Sequence, residues 1–180
     1  ELAAGEQLSE EMELGGIVTF IAFRQAVAGY NRIKEKSKPI LTLIDFSKPS
    51  TEKRFFVFDM EKKQLLFSSV VSHGRNSGGN YATSFSNQNG SYKSSLGFYL
   101  TENTYQGGNG YSLILNGLEK GINDKAKERS IVVHGASYAN PTVAASGRLG
   151  RSLGCPALPT KLAKPIINTC LLYTSDAAGE

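Results

Sequence analysis

The run Ile131-Val132-Val133-His134-Gly135 and the turn Gly147-Arg148-Leu149-Gly150-Arg151-Ser152-Leu153-Gly154-Cys155-Pro156 decide how this chain is read. The first is a β-branched run that stops abruptly at a histidine and a glycine, as a buried strand does where it meets a loop. The second is glycine-rich and basic, and it delivers a cysteine. A candidate base and a candidate thiol nucleophile therefore sit on neighbouring connections. A thiol reacts as its thiolate, and an adjacent imidazole, clustered cations or exposed backbone N–H groups favour that form. Arg148, Arg151 and the flexible backbone at Gly150 and Gly154 can supply the last two.

Working outward, the period of the apolar residues changes along the chain. Residues 1–18 are a polar lead-in, short helical or frayed, with acids at Glu6, Glu10, Glu11 and Glu13 and a Gly15-Gly16 break. From Thr19 to Lys36, Phe20, Phe23, Val27, Tyr30 and Ile33 recur at helical spacing, which predicts an N-terminal amphipathic helix ended by Pro39. Short β-branched and aromatic runs follow at Ile40 to Phe46, Arg54 to Met60, Gln64 to Val71, Leu96 to Thr101, Tyr111 to Asn116 and Ser130 to His134. Glu61-Lys62-Lys63 suits a hairpin turn, and Asn123-Asp124 reads as the N-cap of one or two helical turns. Strands outnumbering helices in this way predict a mostly β fold, an antiparallel sandwich or barrel with the N-terminal helix against it. The longest irregular region, Ser72 to Ser95, is rich in Gly, Ser and Asn, and long loops of this kind are usually functional or disordered.

The chain has 180 residues, 40% apolar and 20% charged, with a net charge of +4, which is one domain's worth of ordinary globular composition. Its basic residues are scattered and form no stripe interleaved with aromatics, which argues against nucleic acid as a partner. The longest apolar run, Ile17 to Phe23, is too short to be a transmembrane segment. No phosphate-cradling glycine loop and no metal-ligand spacing appears, so no cofactor and no metal is expected. The chain starts at Glu1 without a methionine, so a leader removed earlier stays open. Residues 170–180, beginning at Cys170, look like the translation of a sequencing adapter. On that reading the domain proper is 19–169 and lacks its last strands. Oligomeric state is not readable from the sequence.

A lone cysteine is most often a small buried hydrophobe, and Cys/His spacings do not transfer between families, so spacing alone does not make a site. What singles this pair out is a resemblance. His134-Gly135, the intervening loop and Ser152-Leu153-Gly154-Cys155 resemble the signature of the L,D-transpeptidase catalytic domain, the murein cross-linking cysteine enzymes. The turn Gly150-Arg151-Ser152-Leu153-Gly154-Cys155-Pro156-Ala157-Leu158-Pro159 is most similar to the murein L,D-transpeptidase catalytic domain branch. The similarity runs from about Phe20 to Pro159.

The resemblance implies a barrel-like or sandwich catalytic fold and acyl transfer on peptidoglycan stem peptides in the cell envelope, the protein being periplasmic or exported. Cys155 is then the nucleophile and His134 the general base and acid. The carbonyl of Gly135 or its neighbour orients the imidazole, and backbone N–H groups around Gly154 and Cys155 stabilise the oxyanion. Ser152 bonds His134 or shapes the turn. Arg151 and Arg148 are the candidate substrate-carboxylate ligands, and His73 and Ser95 lie in the loop that forms one wall of the substrate cleft. Two positions depart from the family: many members carry His in place of Leu153 and Arg in place of Ala157, which puts carboxylate recognition in doubt. With water as acceptor the same thioester chemistry makes a carboxypeptidase, and a scaffold without chemistry makes a cell-wall binding module.

Overall fold

The computed structural model describes residues 2–34 and 36–171. Two helices, α1 (Leu2–Glu11) and α2 (Phe20–Arg32), precede a three-stranded sheet of β1 (Ile40–Ile44), β2 (Phe55–Asp59) and β3 (Gln64–Ser69). A second sheet contains β4 (Tyr99–Gly107), β5 (Gly110–Gly117), β6 (Val132–Gly135) and β7 (Ala157–Leu158) in that order. A 3-10 turn (Ser137–Ala139) and a short α3 (Pro141–Ala144) lie between β6 and β7, and α4 (Thr160–Cys170) follows β7.

β2 explains why the first sheet exists. Phe55-Phe56-Val57-Phe58 is apolar without alternation, as expected of a strand covered on both faces. Phe55 and Val57 join the core between the sheets with Leu113, Val133, Leu158, Ile166 and Ile167. Phe56 and Phe58 face a second cluster with Phe23, Val27, Leu41, Leu14 and Val18. Phe23 meets Phe58 edge to face, with ring centroids 5.2 Å apart. The hairpin turn between β2 and β3 is closed by Asp59, whose Oδ1 accepts from the Glu61 and Lys62 amides at 3.0 and 2.9 Å.

Several expectations are corrected here. The sheets do not close into a barrel: among the described residues β1 pairs only with β2 and β4 only with β5. The pairing is antiparallel except between β6 and β7, which run parallel. The lead-in is helical, as α1, and α2 ends at Arg32, short of the expected Lys36, burying Phe23, Ala26, Val27 and Gly29 while Phe20 and Tyr30 are only half-buried. Residues 123–129 form turns, not a helix, because the Asn123 side chain is spent elsewhere: its Nδ2 donates to Phe98 O and its Oδ1 accepts from the Glu119 amide, both at 2.9 Å. β4 begins later than expected, after the Ser94–Phe98 segment has bonded to neighbouring loops.

α4 was not expected. Its apolar positions Leu162, Ala163, Ile166, Ile167 and Cys170 recur at helical spacing, but Pro165 lies within the helix, where proline is unfavourable, and breaks up the pattern. Cys170 ends this helix and is buried in the inter-sheet core, with Sγ 3.3 Å from Thr42 Oγ1. The remaining residues of the adapter-like stretch, 172–180, lie outside the described residues. Among the described residues no helix is long and apolar enough to cross a membrane.

Candidate active site

β6 is the second sheet's central strand, hydrogen-bonded to β5 on one side and β7 on the other. Its register sets Ser112 beside His134 on the β5 side and Ala157 beside His134 on the β7 side. Cys155 lies in the bend two residues before Ala157, with its Sγ 3.4 Å from the amide of Val132, two residues before His134 on β6. Strand rise places the Val132 and His134 levels roughly 6–7 Å apart.

The imidazole of His134 is only 2% exposed, and its Nδ1 is 2.9 Å from the carbonyl oxygen of Gly135. A carbonyl can only accept, so Nδ1 carries the proton and Nε2 holds the lone pair. That is the tautomer a general base requires, and the protein fixes it with one backbone atom. Gly135 itself is kept small by α4, since a Cβ there would meet the Ala163 Cβ at 2.8 Å.

Cys155 is 8% exposed, and its Sγ accepts from the Val132 amide at 3.4 Å and donates to the Ser130 carbonyl at 3.5 Å. Ser130 has a left-handed backbone, φ 58, uncommon for a residue with a side chain. No hydrogen bond joins the thiol to His134. Burial pushes the Cys155 thiol above its ordinary value, and the Val132 amide and the Arg129 guanidinium pull it partway back. The arginines named from the sequence, Arg148 and Arg151, do not supply this cation.

The nucleophile turn is built by Ser152 and Gly154. Ser152 Oγ donates to Cys155 O at 2.6 Å and accepts from the Gly154 amide at 3.1 Å, so of its two expected roles it shapes the turn and does not bond His134. Since the Gly154 amide is spent on that bond, the Cys155 amide is the better placed oxyanion donor. Gly154 has φ 126, and a Cβ there would meet Lys93 O and Ile131 Cδ1, each at 2.9 Å. Gly150 admits the neighbouring Tyr138, whose Cβ would lie 2.3 Å from an added methyl. Burial, reinforced by Cys155, pushes the Tyr138 phenol up to about 12, so it is neutral at ordinary pH.

The turn is stitched to residues 72–75 through backbone. The Ser72 amide donates to Ala157 O at 2.9 Å, the Ser152 amide to His73 O at 3.0 Å and the Arg75 amide to Ser152 O at 2.8 Å. The side chain of His73 points away from this work. It is 1% exposed, and Nδ1 accepts from Arg54 Nη2 at 2.9 Å while Nε2 donates to Gly78 O at 3.1 Å. Both nitrogens are engaged, which removes His73 as a substrate contact. Burial and the neighbouring Arg54 lower its basicity. Arg54, fully buried, also donates to Val71 O and Lys48 O and stacks on Phe46.

Ser95 is 8% exposed, and its hydroxyl is engaged within the wall, donating to Ser86 O at 2.7 Å and accepting from Arg129 at 2.9 Å. Arg148 is half-buried and bonds the Leu149 carbonyl. Arg151 is exposed and donates from Nη1 to Arg75 O and Gly78 O, at 3.0 and 3.2 Å. Arg129 was missed: it stands directly before the strand that delivers His134, but inside a charge run that reads as a solvated face. Among the described residues no cluster of His, Cys, Asp and Glu can hold a metal.

A family model, the L,D-transpeptidase catalytic domain, matches residues 16–172, a span that includes the strand-borne His134 and the Ser-x-Gly-Cys turn. The chain belongs to that family. No curated protein and no solved structure matches it. The L,D-transpeptidase catalytic domain is a family of cysteine enzymes with peptidoglycan-related function, and its match covers both sheets, the wall loop and α4.

Proposed function

We propose that this protein is a murein L,D-transpeptidase of the cell envelope that cross-links stem peptides through a Cys155 thioester. The observation that carries the reading is the His134 Nδ1 bond to Gly135 O, which leaves Nε2 basic on the strand beside the cysteine. Nε2 takes the thiol proton, and the sulfur attacks the carbonyl between the diamino acid and the terminal D-alanine of a tetrapeptide stem. The C–N bond breaks, His134 returns the proton to the departing amine, and D-alanine leaves. The side-chain amine of a second stem then attacks the thioester, gives up a proton and restores the thiol. The Cys155 amide donates to the oxyanion at both tetrahedral stages.

Charge on the thiol is disfavoured by burial, so proton transfer to His134 is coupled to substrate engagement: the sulfur must turn from Ser130 O toward the imidazole. Hydrogen bonds of this kind commonly tighten only in the substrate complex. Arg151, exposed at the mouth of the turn, has donors beyond Nη1 for a stem-peptide carboxylate, where a guanidinium is the better ligand than an ammonium.

Incubation with disaccharide-tetrapeptide murein fragments, with products resolved by mass, tests the reading. Cross-linked dimers lacking one D-alanine are expected. Tripeptides alone would make it a carboxypeptidase. No product, with Cys155→Ala and wild type alike, would leave a cell-wall binding module.

A further inference from the structure

The segment 129–132 touches the thiol twice and the residue before it once. Ser130 offers its carbonyl, Val132 its amide, and Arg129 a guanidinium whose Nη2 lies 3.5 Å from where a Cβ on Gly154 would stand. Arg129 also ties down the wall loop. Nη1 donates to Ser86 O and Ser95 Oγ, both at 2.9 Å, and Nη2 donates to Ser91 Oγ at 3.1 Å and Lys93 O at 2.8 Å. Two of those acceptors are main-chain carbonyls and two are serine hydroxyls, all within residues 86–95. No carboxylate accepts from the guanidinium in any of these four bonds. The wall in turn packs on the nucleophile turn, with Lys93 O against Gly154 and Ser94 Oγ accepting from the Gly74 amide at 2.9 Å.

We propose that Arg129 is the positioning residue of this site: its guanidinium pins the wall loop onto the nucleophile turn and holds a fixed positive charge beside Gly154, the residue before Cys155. The proposal rests on reading Cys155 as the nucleophile. A lysine does not substitute fully, because a single ammonium cannot reach four acceptors spread over the loop from two nitrogens in a fixed fork. The other ionisable groups around the thiol are His134 on β6 and Tyr138 beyond it. Around the guanidinium it is Tyr99, which interacts with it across the wall. Of these, Arg129 is the one permanent cation interacting with both the sulfur and the loop.

The test is the pH dependence of iodoacetamide alkylation at Cys155, located by peptide mapping so that Cys170 is scored separately, with limited proteolysis of residues 86–95 on the same samples. Arg129→Gln is expected to raise the alkylation midpoint by about one unit, a tenfold slower reaction at any lower pH, and to expose the loop to cleavage. Arg129→Lys is expected to keep the midpoint near wild type while still exposing the loop. Ser91→Ala/Ser95→Ala is expected to speed cleavage with the midpoint unmoved. An unshifted midpoint in a folded Arg129→Gln protein overturns the proposal. Should that variant fail to fold, Arg129→Lys decides, since loop cleavage as slow as in wild type overturns it too. Alkylation reads the thiol whether or not murein is the substrate, so failure to form cross-linked dimers would remove the proposed function and leave this result standing.

Discussion

Replacing Gly154 with alanine should damage this protein more than its single methyl suggests. Two effects add. A residue with a side chain held at φ 126 is strained, by about 1–3 kcal/mol. The new Cβ would also stand 2.9 Å from Lys93 O, a backbone atom that accepts from Arg129 at 2.8 Å. Relief requires the carbonyl to move off the guanidinium, and a hydrogen bond to a charged group is worth roughly 1.5–3 kcal/mol. The expected loss is therefore ~2.5–6 kcal/mol, a large part of the 5–15 kcal/mol typical of a domain. Urea unfolding with the slope unchanged between variants measures it. Gly121→Ala is the control: φ there is 80 with nothing within 4 Å of an added Cβ, so only backbone strain of about 1–2 kcal/mol applies. If Gly154→Ala costs no more than Gly121→Ala, the contact between the nucleophile turn and the wall loop is not what the geometry says it is.

Ser152→Ala leaves the Gly154 amide and Cys155 carbonyl without their shared hydroxyl in a buried turn, so a loss of about 1–3 kcal/mol is expected, with thermal unfolding as the readout and an unchanged Tm as the contrary result. His73 sets a pH dependence. Its folded pKa lies below the unfolded value of about 6.5, so below that pH the unfolded chain binds a proton that the folded chain does not. Stability should be full above about pH 6.5 and fall as pH drops through the folded value; denaturant titrations between pH 4 and 8 should show this in wild type and a flatter profile in His73→Gln.

The parts of the fold that were legible are those where burial leaves a continuous mark. Phe55-Phe56-Val57-Phe58 reads as a strand because both its faces are covered, and Ile131-Val132-Val133 reads as one because β6 is central. β7 is two residues long, too short to carry a period, yet it pairs Ala157 with His134 and follows directly on the turn whose Cys155 Sγ meets the Val132 amide. α4 was hidden by Pro165. In the site, Cys155, His134 and Gly154 stood out through residue type and motif. Arg129 did not, because four hydrogen bonds to loop carbonyls and serines leave no pattern in sequence, and a cation amid Lys125, Lys127 and Glu128 looks like any solvated residue. His73 misled for the opposite reason. A histidine in a glycine-rich loop suggests a ligand, whereas its neighbour is the buried Arg54, far back in the chain on the approach to β2.

The chain between His134 and Cys155 makes a long excursion through a 3-10 turn and α3, and Ala145, Ser146 and Gly147 at its far side are exposed. That excursion does not hold the two side chains together. Their spacing is set by the parallel ladder of His134 with Ala157 and Gly135 with Leu158, and by Asn140, whose side chain accepts from the Thr160 amide at 2.9 Å and anchors the excursion where it leaves the sheet. Insertions, deletions or even a chain break near Ser146 would thus change the exposed surface there while the distance between His134 and Cys155 stayed as the sheet dictates. The same architecture offers evolution a region for altering selectivity that is mechanically uncoupled from the chemistry.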